Sequence, residues 1–318
     1  MRKINKIELG ATLFVPATHK DLTTLACGKK YPELKSMLID TEDGIDLLSL
    51  TDAMKNIKYF LSSFARDKVF IFIRPRDTKV LKELLACENI DKIDGFILPK
   101  FSLTNASEYF DILKDTKYYI MPSIEGEELF DSRKLLKLRD IILGQKKRIL
   151  LIRFGLEDML KQLSMRRKCE DSIFDFTATS YALGSFISTF KSVGFCVSGG
   201  VYPCFKDDKG FLKDIKRDLK EGLFSKTIIH PNQIKLSNKA YKPTCQELKE
   251  AEELIQNSHA IFSQNDKMTE VTTMTPWANE IIKRAKVYGV SDSSWKVYIM
   301  VVLERLEKSL SLFKPLYY

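Results

Sequence analysis

The stretch RILLIRFGLEDM (148–159) opens as an apolar run and ends in two adjacent carboxylates, Glu157 and Asp158. The pattern recurs upstream: KYYIMPSIE (117–125) ends at Glu125, and MLIDTED (37–43) ends in Asp40, Glu42 and Asp43. Apolar runs this short, continuous rather than alternating, predict strands covered on both faces in a parallel sheet. Further runs of this kind are ATLFVPA (11–17), KVFIFIRP (68–75), DGFILPK (94–100), FCVSGG (195–200) and SKTIIHP (225–231). Amphipathic segments separate them. In LLSLTDAMKNIKYFLSSFARD (47–67), Leu50, Met54, Ile57, Leu61 and Phe64 share one helical face. Eight strands alternating with helices over about 230 residues predict an α/β fold, a (β/α)8 TIM barrel. A doubly wound open sheet is the competitor, which periodicity alone does not exclude.

Outward from the barrel, the step from the run at 148 to the run at 195 is longer than the others and predicts a helical excursion after strand six. The chain divides into a catalytic barrel, 1–235, and a C-terminal helical extension, 236–318, read as a lid or an oligomer interface. Within the extension, TCQELKEAEELIQNSHAIF begins with Thr244 three residues before Glu247, a capping-box pattern. NDKMTEVTTMTP (265–276) reads as a loop and SSWKVYIMVVLERLEKSLSLF (293–313) as a closing helix.

Of 318 residues, 44% are hydrophobic, enough for a substantial core. No apolar run approaches the roughly twenty residues of a membrane span, and MRKINKIELG lacks the apolar stretch expected of a secretory signal. The net charge of +9 is spread along the chain with acids interspersed, dense only at QKKR (145–148) and RRK (166–168). That distribution speaks for solvated helix faces, with attraction of a small anion as a second reading and no nucleic-acid partner. Six cysteines, at 27, 87, 169, 196, 204 and 245, form no CxxC pair; they read as unpaired thiols in a reducing cytoplasm.

In a parallel barrel the C-terminal strand ends make one rim, where the chemistry sits. Neighbouring strands lie about 4.8 Å apart, so Glu125 after strand five and Asp158 after strand six can reach one ion. Two hard carboxylates, with the remaining positions left to water and substrate, suit Mg2+. Helix capping is the alternative for either acid alone. Glu157 should face the helices. Arg74, ending strand three, offers a bidentate grip on a carboxylate or phosphate, and Lys100, ending strand four, a second positive charge. Arg76 should lie outside the pocket. GxGxxG and GxxxxGK are both absent, which counts against phosphotransfer.

The ordered segments LFVPA, IDTEDG, FIRPR, GFILPK, IMPSIEGEELF, RFGLEDM and SKTIIHPNQI together resemble the HpcH/HpaI aldolase and citrate lyase β-subunit superfamily, from about residue 11 to residue 256. The resemblance implies a Mg2+-dependent C–C bond lyase, with Glu125 and Asp158 as metal ligands and Arg74 as the substrate-carboxylate arginine. It places Glu42 and Asp43 at the metal pocket, as candidates for the base. His230 matches a motif residue and is read as structural. Relatives are usually oligomeric, and many act on coenzyme A thioesters. This chain departs from them at LGATLFVPAT, which lacks the arginine that commonly precedes strand one. The expected substrate is therefore a free oxo- or hydroxy-carboxylic acid, with a coenzyme A ester disfavoured. The LGATLFVPAT form resembles a citrate-lyase-like branch found beside tellurite-resistance genes. A non-catalytic binding barrel serving such a stress pathway is the rival reading.

Overall fold

The computed structural model describes residues 2–291. Eight parallel strands form one sheet: β1 (Thr12–Pro16), β2 (Ser36–Asp40), β3 (Phe70–Arg74), β4 (Gly95–Leu98), β5 (Tyr119–Ile124), β6 (Ile152–Phe154), β7 (Val197–Ser198) and β8 (Thr227–Ile228). The first seven pair in sequence order and β8 pairs with β1, giving a nearly closed TIM barrel. Helices α1 (Leu22–Ala26), α2 (Leu50–Ser63), α3 (Thr78–Leu85), α4 (Ala106–Leu113), α5 (Ser132–Leu143), α6 (Leu156–Gln162), α7 (Thr177–Lys191) and α8 (Asp208–Lys220) alternate with the strands. The long interval after β6 carries α6 and an irregular segment before α7. Of the face expected in α2, Met54, Ile57 and Leu61 are buried and Leu50 is half-buried, while Phe64, just past the helix, is buried as well.

Register decides which side chains meet at the rim. Ser36 to Asp40 pair one for one with Phe70 to Arg74, so an acid and an arginine end neighbouring strands side by side. At the opposite end, Arg2 pairs with Asp94, just ahead of β4, at 3.0 Å. Ile4 and Leu9 there join the interior cluster of Leu38, Phe72, Ile97 and Met121. The barrel interior also holds a polar layer: Arg153 donates to the hydroxyls of Thr12 at 2.8 Å and Thr227 at 3.0 Å.

Between β7 and β8 the ladder gives way to side chains. The Phe224 N–H donates to the Val197 carbonyl at 2.9 Å. Beside it the buried Lys226 ammonium meets Asp214 and Asp218, each at 2.7 Å, and the Gly200 carbonyl. Arg167 completes the cluster against Asp214 at 2.8 Å. Two expectations are corrected here. Arg167 of the RRK run, with Asp214 and Asp218 of α8, is buried rather than solvated, because the seam supplies partners for each charge. Cys169 and Cys204 form a disulfide, with Cα atoms 5.8 Å apart. The excursion after β6 and the loop after β7 converge, a proximity that cysteine spacing does not encode. That bond withdraws the support unpaired cysteines lent to a reducing compartment.

The chain divides into compact units at 238/239. In the second, α10 (Cys245–Gln256) carries the expected capping box of Thr244 and Glu247. Its core is Ala251, Leu254, Ala278 and Ile281. The expected loop at 265–276 is instead the turn and second strand of a hairpin, β9 (Ile261–Gln264) with β10 (Lys267–Glu270), followed by the start of α11 (Val271–Tyr288). Asn265 and Asp266 take the positive φ values, 52° and 59°, that a tight two-residue turn requires. The closing helix read at 293–313 lies outside the described residues. Among the described residues no helix is long and apolar enough to cross a membrane.

The seam cluster yields a stability prediction. Lys226→Met leaves two buried carboxylates facing only Arg167, and removing one partner of such a network costs about 3–5 kcal/mol. Chemical denaturation is expected to show a loss of that size; a change under 1 kcal/mol would refute it.

Candidate active site

The rim site is built from the ends of four strands and the first turn of one helix. Asp40, the last residue of β2, is buried and accepts Arg74 Nε and Nη2, both at 2.7 Å. The same carboxylate accepts the N–H groups of Glu42 at 3.0 Å and Gly44 at 2.8 Å, turning the chain sharply after the strand. Arg76 lies outside the acid cluster, as expected, yet it braces this turn. Its guanidinium donates to the carbonyls of Thr41, Glu42 and Ile45.

The turn delivers Glu42 into the pocket, where it is buried between two cations. Arg74 Nη1 lies 3.1 Å from Glu42 Oε2, and the Lys100 ammonium contacts Oε1 directly. Burial holds the Glu42 carboxyl above its ordinary pKa, although both cations oppose it. For Arg74, burial works against the charge, but the Asp40 pair outweighs it and the pKa stands above the arginine norm. Lys100 also reaches Asp43 at 3.1 Å and Asp158 at 3.5 Å. All six residues singled out in the sequence, Glu42, Asp43, Arg74, Lys100, Glu125 and Asp158, thus meet at one end of the barrel.

Glu125 directly follows β5 and is 5% exposed. It caps no helix: its Oε1 accepts the Lys100 backbone N–H, and its Oε2 lies 3.4 Å from the Ser123 hydroxyl. Among the described residues it makes no ion pair. Desolvation therefore dominates, and with the Asp158 charge nearby it lifts the Glu125 pKa to about 7. Asp158 sits one step beyond its strand, in the first turn of α6, whose N-cap is Gly155. Glu157 beside it is exposed. No third His, Cys, Asp or Glu joins these two in a metal-binding group among the described residues.

Some parts of the site went unread in the sequence. Asp40 orients Arg74, a role visible only once strand register is known. Gly155 is another: a Cβ there would lie 2.2 Å from the Glu125 Cβ and 2.3 Å from its Oε2. His230 stacks on Phe205 at 4.6 Å and accepts the Asn232 N–H at the start of α9 (Asn232–Tyr241).

The fold is a TIM barrel with acids, an arginine and a lysine gathered at the C-terminal rim, the end where such barrels carry their chemistry. The family model described as C–C bond lyase of the TIM-barrel fold matches residues 3–290, and the chain belongs to that family. It is 22% identical over 235 residues to a (3S)-malyl-CoA thioesterase of Cereibacter sphaeroides, covering 73% of this chain and 76% of that one. It is 26% identical over 152 residues to the citrate lyase β subunit of Escherichia coli, covering 46% and 48%. In structure it is similar to CitE of Mycobacterium tuberculosis in complex with magnesium, acetoacetate and coenzyme A. The TM-score is 0.66 at 15% identity, over 89% of this chain and 100% of that one.

The raised Glu125 pKa makes stability depend on pH. Below the ordinary value of 4.5 the carboxyl is neutral in folded and unfolded chains alike. As pH rises toward 7 the unfolded chain ionises first, so stability is lost across that window, by about 3 kcal/mol in all. In chelator, Glu125→Gln is expected to match the wild type near pH 4 and exceed it near pH 8. Parallel denaturation profiles for the two proteins would refute this.

Proposed function

We propose that this chain is a magnesium-dependent carbon–carbon bond lyase acting on a small oxo- or hydroxy-carboxylic acid. What carries the reading is the pair of Glu125 and Asp158: Glu125 is buried and desolvated, has no cationic side chain paired to it among the described residues, and adjoins the half-buried carboxylate of Asp158. A hard divalent ion relieves that arrangement, and two carboxylates are a usual protein share of a Mg2+ shell. The magnesium and acetoacetate bound by the similar CitE agree with it. Bound there, magnesium supplies Lewis-acid polarisation of a substrate oxygen.

The remaining chemistry falls to the chain's own side chains. Asp40 holds Nε and Nη2 of Arg74 and Glu42 lies 3.1 Å from Nη1, so a substrate carboxylate takes the Nη1–Nη2 edge by displacing Glu42 from it. The same guanidinium places positive charge beside the oxyanion that develops as the bond breaks. Glu42, with its raised pKa, takes the hydroxyl proton of a hydroxy acid in the cleavage direction, and Asp43 is the alternative base. The carbonyl product and the enolate then separate, and the enolate is quenched by a proton. Lys100 contributes a second positive charge toward the substrate.

Assay of a panel of oxo- and hydroxyacids with Mg2+, as free acids and as coenzyme A esters, tests the reading through release of a carbonyl product. Turnover of none of them would favour a non-catalytic barrel. On the substrate that is turned over, Arg74→Lys keeps the charge and loses the fork. A loss of about 1.5–3 kcal/mol, roughly ten- to hundredfold in kcat/KM, is expected. Unchanged turnover would remove Arg74 from the role.

The relatives named for coenzyme A esters make the thioester a pointed alternative. Gly10 and Ala11 precede β1 here, where the family resemblance leads one to expect an arginine. Calorimetry with acetyl-coenzyme A and Mg2+ is expected to give millimolar binding or none; micromolar binding would overturn the preference for a free acid.

A further inference from the structure

We infer that Lys100 is a built-in counter-ion of the acid pocket: its ammonium bridges Glu42, Asp43 and Asp158 in the metal-free protein and withdraws when a divalent cation binds. The inference rests on the reading of Glu125 and Asp158 as metal ligands. One residue touches both of them, by different groups. The Lys100 backbone N–H donates to Glu125, while its Nζ lies 3.5 Å from Asp158 Oδ2 and reaches Glu42 and Asp43 as well. An ammonium that close to a carboxylate and a divalent ion on the same carboxylate repel one another strongly in a half-buried site. Occupancy by one therefore opposes occupancy by the other, and the opposition is reciprocal.

Of the two cations in the pocket, Lys100 alone is free to move. The Arg74 side chain is 11% exposed and gripped by Asp40 on two nitrogens. The Lys100 side chain is 49% exposed, so its ammonium reaches solvent by rotation of its own stem, with no unpacking. Its backbone is anchored separately, with the carbonyl accepting Asn105 Nδ2 at 2.8 Å and φ at 45°. The hold on Glu125 consequently survives departure of the side chain. Once withdrawn, the ammonium stands at the pocket mouth, placed to meet a distal carboxylate of the substrate.

The test measures metal binding rather than turnover. Mn2+, followed by electron paramagnetic resonance at one fixed pH, is titrated into the wild type, Lys100→Met, Lys100→Gln, Glu125→Gln and Asp158→Asn. Both Lys100 variants are expected to bind at least tenfold more tightly than the wild type, and the two acid variants at least tenfold more weakly. Weakened acid variants with Lys100 variants unchanged or weaker would overturn the counter-ion role and leave the metal site standing. Acid variants that bind like the wild type would remove the metal site and the inference with it. In the unmodified protein, trace acetylation with acetic anhydride, read by peptide mass, is expected to label Lys100 faster with Mg2+ than without. Equal labelling, or protection by Mg2+, would also overturn it.

Discussion

The two-bond grip of Asp40 on Arg74 joins the ends of β2 and β3, and the rest of the rim is laid out from it. Charge-assisted bidentate pairs are the strong ones among polar contacts, and this one is buried. It fixes the guanidinium plane, so Nη1 is directed at Glu42, 3.1 Å away. Through its other lone pairs Asp40 also receives the N–H groups of Glu42 and Gly44, which sets the path of the turn. One carboxylate thereby places both the arginine and the acid opposite it. A change in strand register would separate all three.

Around that pair the site is crowded with charge: five carboxylates and two cations within one rim. Isolated buried charges are costly unless paired and hydrogen-bonded. Asp40 and Glu42 meet that requirement with Arg74 and Lys100, whereas Glu125 meets it only in part, through one backbone N–H. The contrast with the β7–β8 seam is instructive. There two cations and two carboxylates face each other and serve closure of the barrel; at the rim, acids exceed cations.

Strand order and the meeting of the rim residues were legible because a parallel sheet leaves little freedom. A continuous apolar run marks the strand, and its last polar residue marks the rim. Glu125, Arg74 and Lys100 follow that rule directly. Asp158 bends it, since α6 begins at Leu156 and carries the acid on its first turn. Arg167, Asp214 and Asp218 were illegible: in sequence they look like solvated charges on a loop and on α8, and only the seam gives them partners. The Cys169–Cys204 bond was hidden for the same reason, as it joins two irregular segments whose approach no periodicity records. The β9–β10 hairpin escaped because four-residue strands with mostly exposed side chains leave too short an alternation to read.

The glycine in FGLEDM has its own physical account. Backbone from β6 passes so close to Glu125 that no side chain fits between them, and the carboxylate occupies the space a Cβ would need. The glycine therefore stands beneath the buried acid that ends the neighbouring strand. Its N–H donates to the Ile124 carbonyl at 2.9 Å, holding the backbone just ahead of Glu125. Gln162, a turn further along α6 than Asp158, donates to the Glu125 carbonyl at 2.6 Å and ties the helix to the same point. Glycine then acid is one device: the first admits the carboxylate of β5, and the second adds its own four residues beyond β6. The two acids reach one pocket from adjacent strands because the residue between them has no side chain.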